Sequence, residues 1–162
     1  MRVLSDQESV EAMAFIDEAA RIAISSSCLR WRCGSVIVKN KKILGQGYNS
    51  PPGDCKPNIC IKDNLSPQFK SDKTCCVHAE ERAIIDALRK NPNNIIGSRI
   101  YFIRIDDQGK KQFAGAPFCT ICSKLSLEVG IGEFVLLHEQ GICVYSTEEY
   151  NSISFQWTPE KK

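Results

Sequence analysis

No stretch of this 162-residue chain approaches the roughly 18 consecutive apolar residues that a membrane-spanning helix requires. Its opening, MRVLSDQESVEAMAF, lacks the apolar core of a signal peptide, so the expected location is cytoplasmic, with no membrane contact. A strong charge of either sign is missing too: 21 basic and 19 acidic residues leave a net charge of +2. Duplex-binding proteins carry strongly basic faces, so extended nucleic-acid contacts are disfavoured. The cluster Lys39, Lys41 and Lys42 reads most simply as the solvated turn of a hairpin. Internal repeats, low-complexity tracts and linkers are absent as well. One domain is therefore expected over 1–162, with a core of about 5–150 and a C-terminal tail over 151–162.

Cysteine, by contrast, is abundant. Nine cysteines in a chain expected in a reducing compartment need another explanation than disulfides, and an odd count leaves at least one thiol unpaired.

Hydrophobic periodicity gives an α-β-β-α-β-α-β order, with a further strand and helix behind it. Ser5-Asp6-Gln7-Glu8 has the form of a capping box. The apolar positions Val10, Met13, Ala14, Ala20 and Ile24, with Ile16 off the stripe, carry a helix to about Ser26. CGSVIVK and KILGQGY form a β-hairpin across Asn40, and SRIYFIRI, GEFVLLHE and GICVYS are further strands. VHAEERAIIDALRKN is a helix with Ala83, Ile84, Ala87 and Leu88 on its apolar face. A second helix spans APFCTICSKLSLEVG, from Pro117 to Gly130, and a short last one covers TEEYNSIS with Thr147 as its cap. Helices between strands imply parallel crossovers, and the hairpin makes the sheet mixed. The remaining long segment, Asn49 to Cys76, is rich in proline, glycine and asparagine, and a loop of that length is usually functional or held by something.

Two helix starts stand out: His78-Ala79-Glu80, and Pro117-Phe118-Cys119-Thr120-Ile121-Cys122. In an α/β sheet such starts gather over the carboxyl edge of the strands. Cys119 and Cys122, one helical turn apart, can face one point, and His78 can supply a nitrogen beside them. Zinc favours such nitrogen and sulfur ligands, and a catalytic site leaves the fourth position to water. Glu80 lies two residues from His78, nearly opposite it on an ideal helix. The two share a site only if His78 sits in the opening turn; Glu80 is then a proton carrier and not a ligand. Taken singly, each motif has a plainer reading: a C-x-x-C pair is more often packing or redox.

Histidine-x-glutamate followed by proline-cysteine-x-x-cysteine is the zinc deaminase signature. With SSCLRWRCGSVIVKNKKILGQGYNSPPG and CCVHAEERAI added, the chain resembles the cytidine and deoxycytidylate deaminase superfamily over most of residues 8–137, with its deoxycytidylate (dCMP) branch nearest. The resemblance implies a three-layer α/β/α sandwich around a five-stranded mixed sheet. It also implies a homo-oligomer, and catalytic zinc on His78, Cys119 and Cys122. Glu80 would shuttle protons while cytosine becomes uracil and ammonia leaves. The Ala79 backbone would hold the pyrimidine, Asn49 would contact the sugar or phosphate side, and Arg30 is a candidate for the phosphate. Three features depart from the family pattern: Phe118 separates Pro117 from Cys119, RIDDQGKKQFAGA lengthens the approach to the zinc helix, and Glu81 and Arg82 follow Glu80. Phe118 is thereby a candidate substrate contact.

Two other readings remain open: a deaminase of single-stranded nucleic acid or tRNA, for which Arg30, Trp31, Arg32 and Phe118 offer little, and a zinc-stabilised binding module, which has no need of Glu80. In the long loop, Cys55, Cys60, Cys75 and Cys76 are candidates for a second, structural zinc, with His138 able to replace one thiol. Cys28, Cys33 and Cys143 are assigned to the core.

Overall fold

The computed structural model describes residues 1–66 and 75–157. The middle of the long loop, 67–74, and the end of the expected tail, 158–162, lie outside the described residues.

The sheet contains the five expected strands: β2 (Arg32–Lys39), β3 (Lys42–Tyr48), β4 (Arg99–Ile105), β6 (Glu133–His138) and β7 (Gly141–Ser146). Two short strands add to the expected five: β1 (Arg2–Val3) pairs with β7, and β5 (Lys111–Gln112) pairs with β4. The order is β1-β7-β6-β4-β2-β3, and β4–β6 is the parallel pair in an otherwise antiparallel sheet. Helix α1 (Asp6–Ala23) covers one face; α2 (Ala79–Lys90), α3 (Thr120–Glu128) and α4 (Thr147–Gln156) pack on the other.

The five longer strands divide their side chains between these two cores, as pleated strands covered on both faces must. On β4, Ile100 and Phe102 pack toward α2, whereas Tyr101 and Ile103 pack toward α1. Full burial of side chains such as Ile84, Ile100 and Phe134 stabilises the fold by roughly 1.5–3 kcal/mol each. Helix α2 lies close on β3 because Gly45 and Gly47 face it. A Cβ at Gly47 would stand 2.5 Å from the Ala79 carbonyl oxygen, and one at Gly45 would stand 2.4 Å from the Ala87 nitrogen. Those two glycines let the helix that begins at His78 approach the sheet edge.

Several local expectations shift. Ser5 is the N-cap of α1, but its side chain makes no capping bond, and the Glu8 carboxylate that would complete a capping box is taken by Arg2 and Arg99. The buried stripe of α1 runs through Ala12, Ile16, Ala19 and Ile22; Val10 and Ile24 are exposed, and so is Leu88 on α2. Helix α3 starts three residues after Pro117 because Cys119 caps it. Ser146, not Thr147, caps α4 by accepting from the Glu149 N–H at 3.1 Å, while Thr147 donates to the Ile131 carbonyl. The polar excursion after β4 is an ordered hairpin: Asp106 accepts from the N–H groups of Gln108 and Lys110, and Gly109 takes the positive φ its turn needs.

Candidate active site and metal centre

Antiparallel pairing on β4 brings the start of β2 and, beyond it, the end of β3 to the carboxyl edge of β4 and β6. The openings of α2 and α3 meet above that edge. His78 is the N-cap of α2, with an extended backbone at φ −72° and ψ 156°. It therefore sits in the opening turn, so it shares a site with Glu80 at the second helical position. Glu81 fixes this turn: its carboxylate accepts the His78 backbone N–H at 2.8 Å. Glu81 was legible only as a departure from the family pattern, although a glutamate three residues after a cap is itself a signal.

The His78 Nδ1 lies 3.2 Å from the Cys122 sulfur and 3.3 Å from that of Cys119, and the two sulfurs are 3.3 Å apart. The edges of a zinc tetrahedron with one nitrogen and two sulfur ligands are about 3.5–3.8 Å, so the three atoms stand close to where the ion needs them. This is the one set of three metal-ligating atoms mutually within 4.8 Å among the described residues. Cys119 is both a candidate ligand and the helix cap, accepting the Cys122 N–H. Its thiol is lowered to about 4, first by the Cys122 thiol and then by His78, against the penalty of burial. Cys122 is driven the opposite way by its bond to Cys119 and by burial. The hydrogen bond to Cys119 raises His78 to about 9. A donor set that already favours thiolate is suited to a divalent cation.

Glu80 is buried, two residues on from His78 in the first turn of α2. Burial pushes it up to about 7; the Cys119 charge adds to this, and His78 opposes it. A carboxyl poised there can both take and return a proton near neutrality.

The other candidates are placed less as expected. Asn49 is buried and largely engaged by the protein: its Oδ1 accepts from Ser26 Oγ at 2.7 Å and Cys33 N–H at 2.8 Å, and its Nδ2 donates to the Trp31 carbonyl at 2.8 Å. One amide hydrogen remains for a substrate. Ala79, fully buried, is the first residue of α2. Arg30 is paired with Asp63 at the surface. Phe118 is 55% exposed and leans on Trp157, ring centroids 5.4 Å apart.

The loop cysteines do not assemble as expected. Cys55 is exposed, its thiol on the Pro52 carbonyl. Cys60 and Cys75 sulfurs are 3.5 Å apart, those of Cys75 and Cys76 3.8 Å apart, and the Cys76 thiol is raised by burial and then by Cys28. Cys28 thus belongs to this group and not to the core. His138 is elsewhere, with Nε2 3.1 Å from the Tyr145 hydroxyl. Cys33 lies at the site edge, whereas Cys143 is buried in the core as expected.

The family model of the cytidine and deoxycytidylate deaminase zinc-binding region matches residues 8–138, which contain His78, Glu80, Cys119 and Cys122. The deoxycytidylate deaminase of Mycobacterium phage D29 is 30% identical over 129 residues, covering 75% of this chain and 89% of its own. That of Schizosaccharomyces pombe is 33% identical over 85 residues, 49% of this chain and 26% of the relative; that of Saccharomyces cerevisiae is 26% identical over 146 residues, 83% and 42%. The matches thus span less than half the length of these two yeast relatives. Among solved structures, the dCMP deaminase of cyanophage S-TIM5 in complex with dCMP and dUMP superposes with a TM-score of 0.53, at 25% identity over 81% of this chain and 82% of that one. Cytidine deaminase from Burkholderia pseudomallei gives 0.56 at 18% identity, over 85% and 94%, which shows a shared fold.

Proposed function

The chain belongs to the cytidine and deoxycytidylate deaminase family, and zinc is the metal its His78, Cys119 and Cys122 are built to hold; from that premise we propose that it hydrolytically deaminates the cytosine of a free nucleotide, dCMP first. The observation that carries the proposal is Glu80, a buried carboxyl in the helical turn that His78 opens, which a purely structural zinc site does not require. When bound, zinc supplies a coordinated water activated near neutral pH. Glu80 takes a proton from the position beside Cys122 and returns it to the departing amino nitrogen. Glu81 holds the His78 backbone so that its ring faces the two sulfurs, and Cys119 and Cys122 supply the negative charge that offsets the cation. The relatives named deoxycytidylate deaminase and the near-neutral net charge favour a nucleotide over an oligonucleotide.

Ammonia release from dCMP, dCTP, deoxycytidine, cytosine, adenosine, guanine and single-stranded oligonucleotides tests the reading. Turnover of dCMP above all others is expected. Turnover of oligonucleotides alone would replace it with the nucleic-acid reading, and turnover of nothing by zinc-loaded protein would leave a binding module.

We propose in addition that Cys28, Cys60, Cys75 and Cys76 close around a second, structural zinc. No three of their sulfurs are mutually within 4.8 Å, so the row must draw together. Wild type with two zinc ions per chain and C60S with one supports this; one in both removes it. The protein is further proposed to act as a homo-oligomer, checked by light scattering, in the cytoplasm, where its nine cysteines stay reduced. None of its described helices is long and apolar enough to cross a membrane.

A further inference from the structure

We infer that Arg104, stacked on Trp31, is the subsite for the substrate's phosphate; this rests on the nucleotide deaminase reading above. Arg104 is the penultimate residue of β4, at the carboxyl edge. Because Ile100 and Phe102 face α2, the pleat sends Arg104 to that face as well, the face on which His78 and Cys119 open their helices. Its cross-strand partner is Cys33, which shares the face through Ile37. The Cys33 thiol is raised by burial and then by the Glu80 charge, while Arg104 pulls it down. The Cys33 carbonyl also accepts the Asn49 N–H at 3.2 Å, so Arg104 is paired with the strand residue that holds Asn49 at the site edge.

That guanidinium has a platform and no anion. Its central carbon sits 4.2 Å from the centroid of the Trp31 ring. A guanidinium held over an indole keeps its in-plane N–H groups free, the geometry that grips a phosphate bidentately. Among the described residues no carboxylate lies within ion-pair distance of Arg104, and its Nε is buried without a hydrogen-bond partner. The acid nearest in sequence on its own strand's turn, Asp106, is engaged by the Gln108 and Lys110 N–H groups and the Gln112 amide. Trp31 is itself anchored, since its carbonyl holds the Asn49 amide.

The other arginines near this edge are committed or turned away. Arg30 is bound to Asp63, Arg82 donates to the Pro51 carbonyl and lies over Tyr48, and the pleat turns Arg32 toward α1. Position 104 belongs to the segment RIDDQGKKQFAGA that lengthens this chain beyond the family pattern, so its charge was absorbed by none of the motifs.

The test is the ratio of kcat/KM for dCMP to that for deoxycytidine, in wild type, R104Q and R104K. The ratio is expected to fall about 100-fold in R104Q, and by less in R104K, which keeps charge but not the planar fork. Equal losses on both substrates, or no change in the ratio, would overturn the assignment. If R104Q does not fold, R104K carries the same comparison: an unchanged ratio there counts against the fork. A second readout needs no turnover. The chain has two tryptophans, so in W157F the fluorescence reports Trp31 alone. Titration with inorganic phosphate and with dCMP should give a saturable change that weakens at least about tenfold when R104Q is added. An Arg104-dependent phosphate titration in a protein that deaminates nothing would keep the subsite and discard the deaminase reading. A titration identical with and without Arg104 would discard the subsite.

Discussion

His78, Cys119 and Cys122 form a closed triangle, whereas Cys28, Cys60, Cys75 and Cys76 form an open row, although Cys76 and His78 are two residues apart in the chain. The triangle draws its side chains from the caps and first turn of two helices packed on one sheet, so helix packing brings them together. Members of the row come from the segment before β2, from the long loop, and from the approach to α2, none of them in a strand or α-helix. Preorganised ligands suit catalysis, which needs a defined open position; loop ligands suit a clasp, whose order comes from what it binds.

The strongest way to break this contrast is to remove one sulfur from each group. C122S is expected to lower deamination of dCMP to background and to release the catalytic zinc, measured by ammonia assay and metal analysis. C60S should keep dCMP turnover within about tenfold of wild type, in line with outer-shell changes. Equal losses from the two variants would show that the row and the triangle are one functional unit.

E80Q separates the proposed proton carrier from the metal. Zinc content should stay at the wild-type level while kcat falls about 10²–10⁴-fold, the usual range for a general acid–base. Loss of zinc in E80Q would instead make Glu80 a ligand or a support of one. E81A comes next. Without the carboxylate on the His78 N–H, the imidazole is less well aimed, and zinc affinity is expected to fall about 10–100-fold in a chelator competition. An unchanged affinity would mean that helix packing alone places His78.

The triangle was legible because its signals are local: a histidine and a glutamate two apart, two cysteines three apart, each at a helix start. Even the condition for their meeting, His78 in the opening turn, followed from helical geometry. The row was legible only in part. Cys28 lies 32 residues before Cys60 in a stretch that reads as core, and only the fold brings it to Cys76. Cys55, in the same loop as Cys60, reads as a ligand by proximity alone, yet its thiol sits in the turn after Pro52. Capping failed for a similar reason. Ser5 and Glu8 have the right spacing, but Arg99, 91 residues away, takes part of Glu8. The hairpin at Asp106 was hidden because its turn uses side-chain bonds that composition does not reveal.

The smallest expected effect is the one that sharpens the row itself. If the row clasps a metal, C28S and C60S should each lower the melting temperature, on the order of 5 °C for a chain of this size, because lost binding free energy is lost stability. C55S should leave the melting temperature within about 1 °C, since an exposed thiol on a carbonyl contributes little. Chelation of wild type should reproduce the shift of C60S and add nothing to C60S itself. If instead C28S and C60S melt with wild type, and the reduced and oxidised forms differ, the row is a thiol pair in waiting and the clasp is covalent. Differential scanning calorimetry of these variants, with and without reductant, distinguishes the two, because a metal clasp responds to the chelator and a disulfide to the reductant.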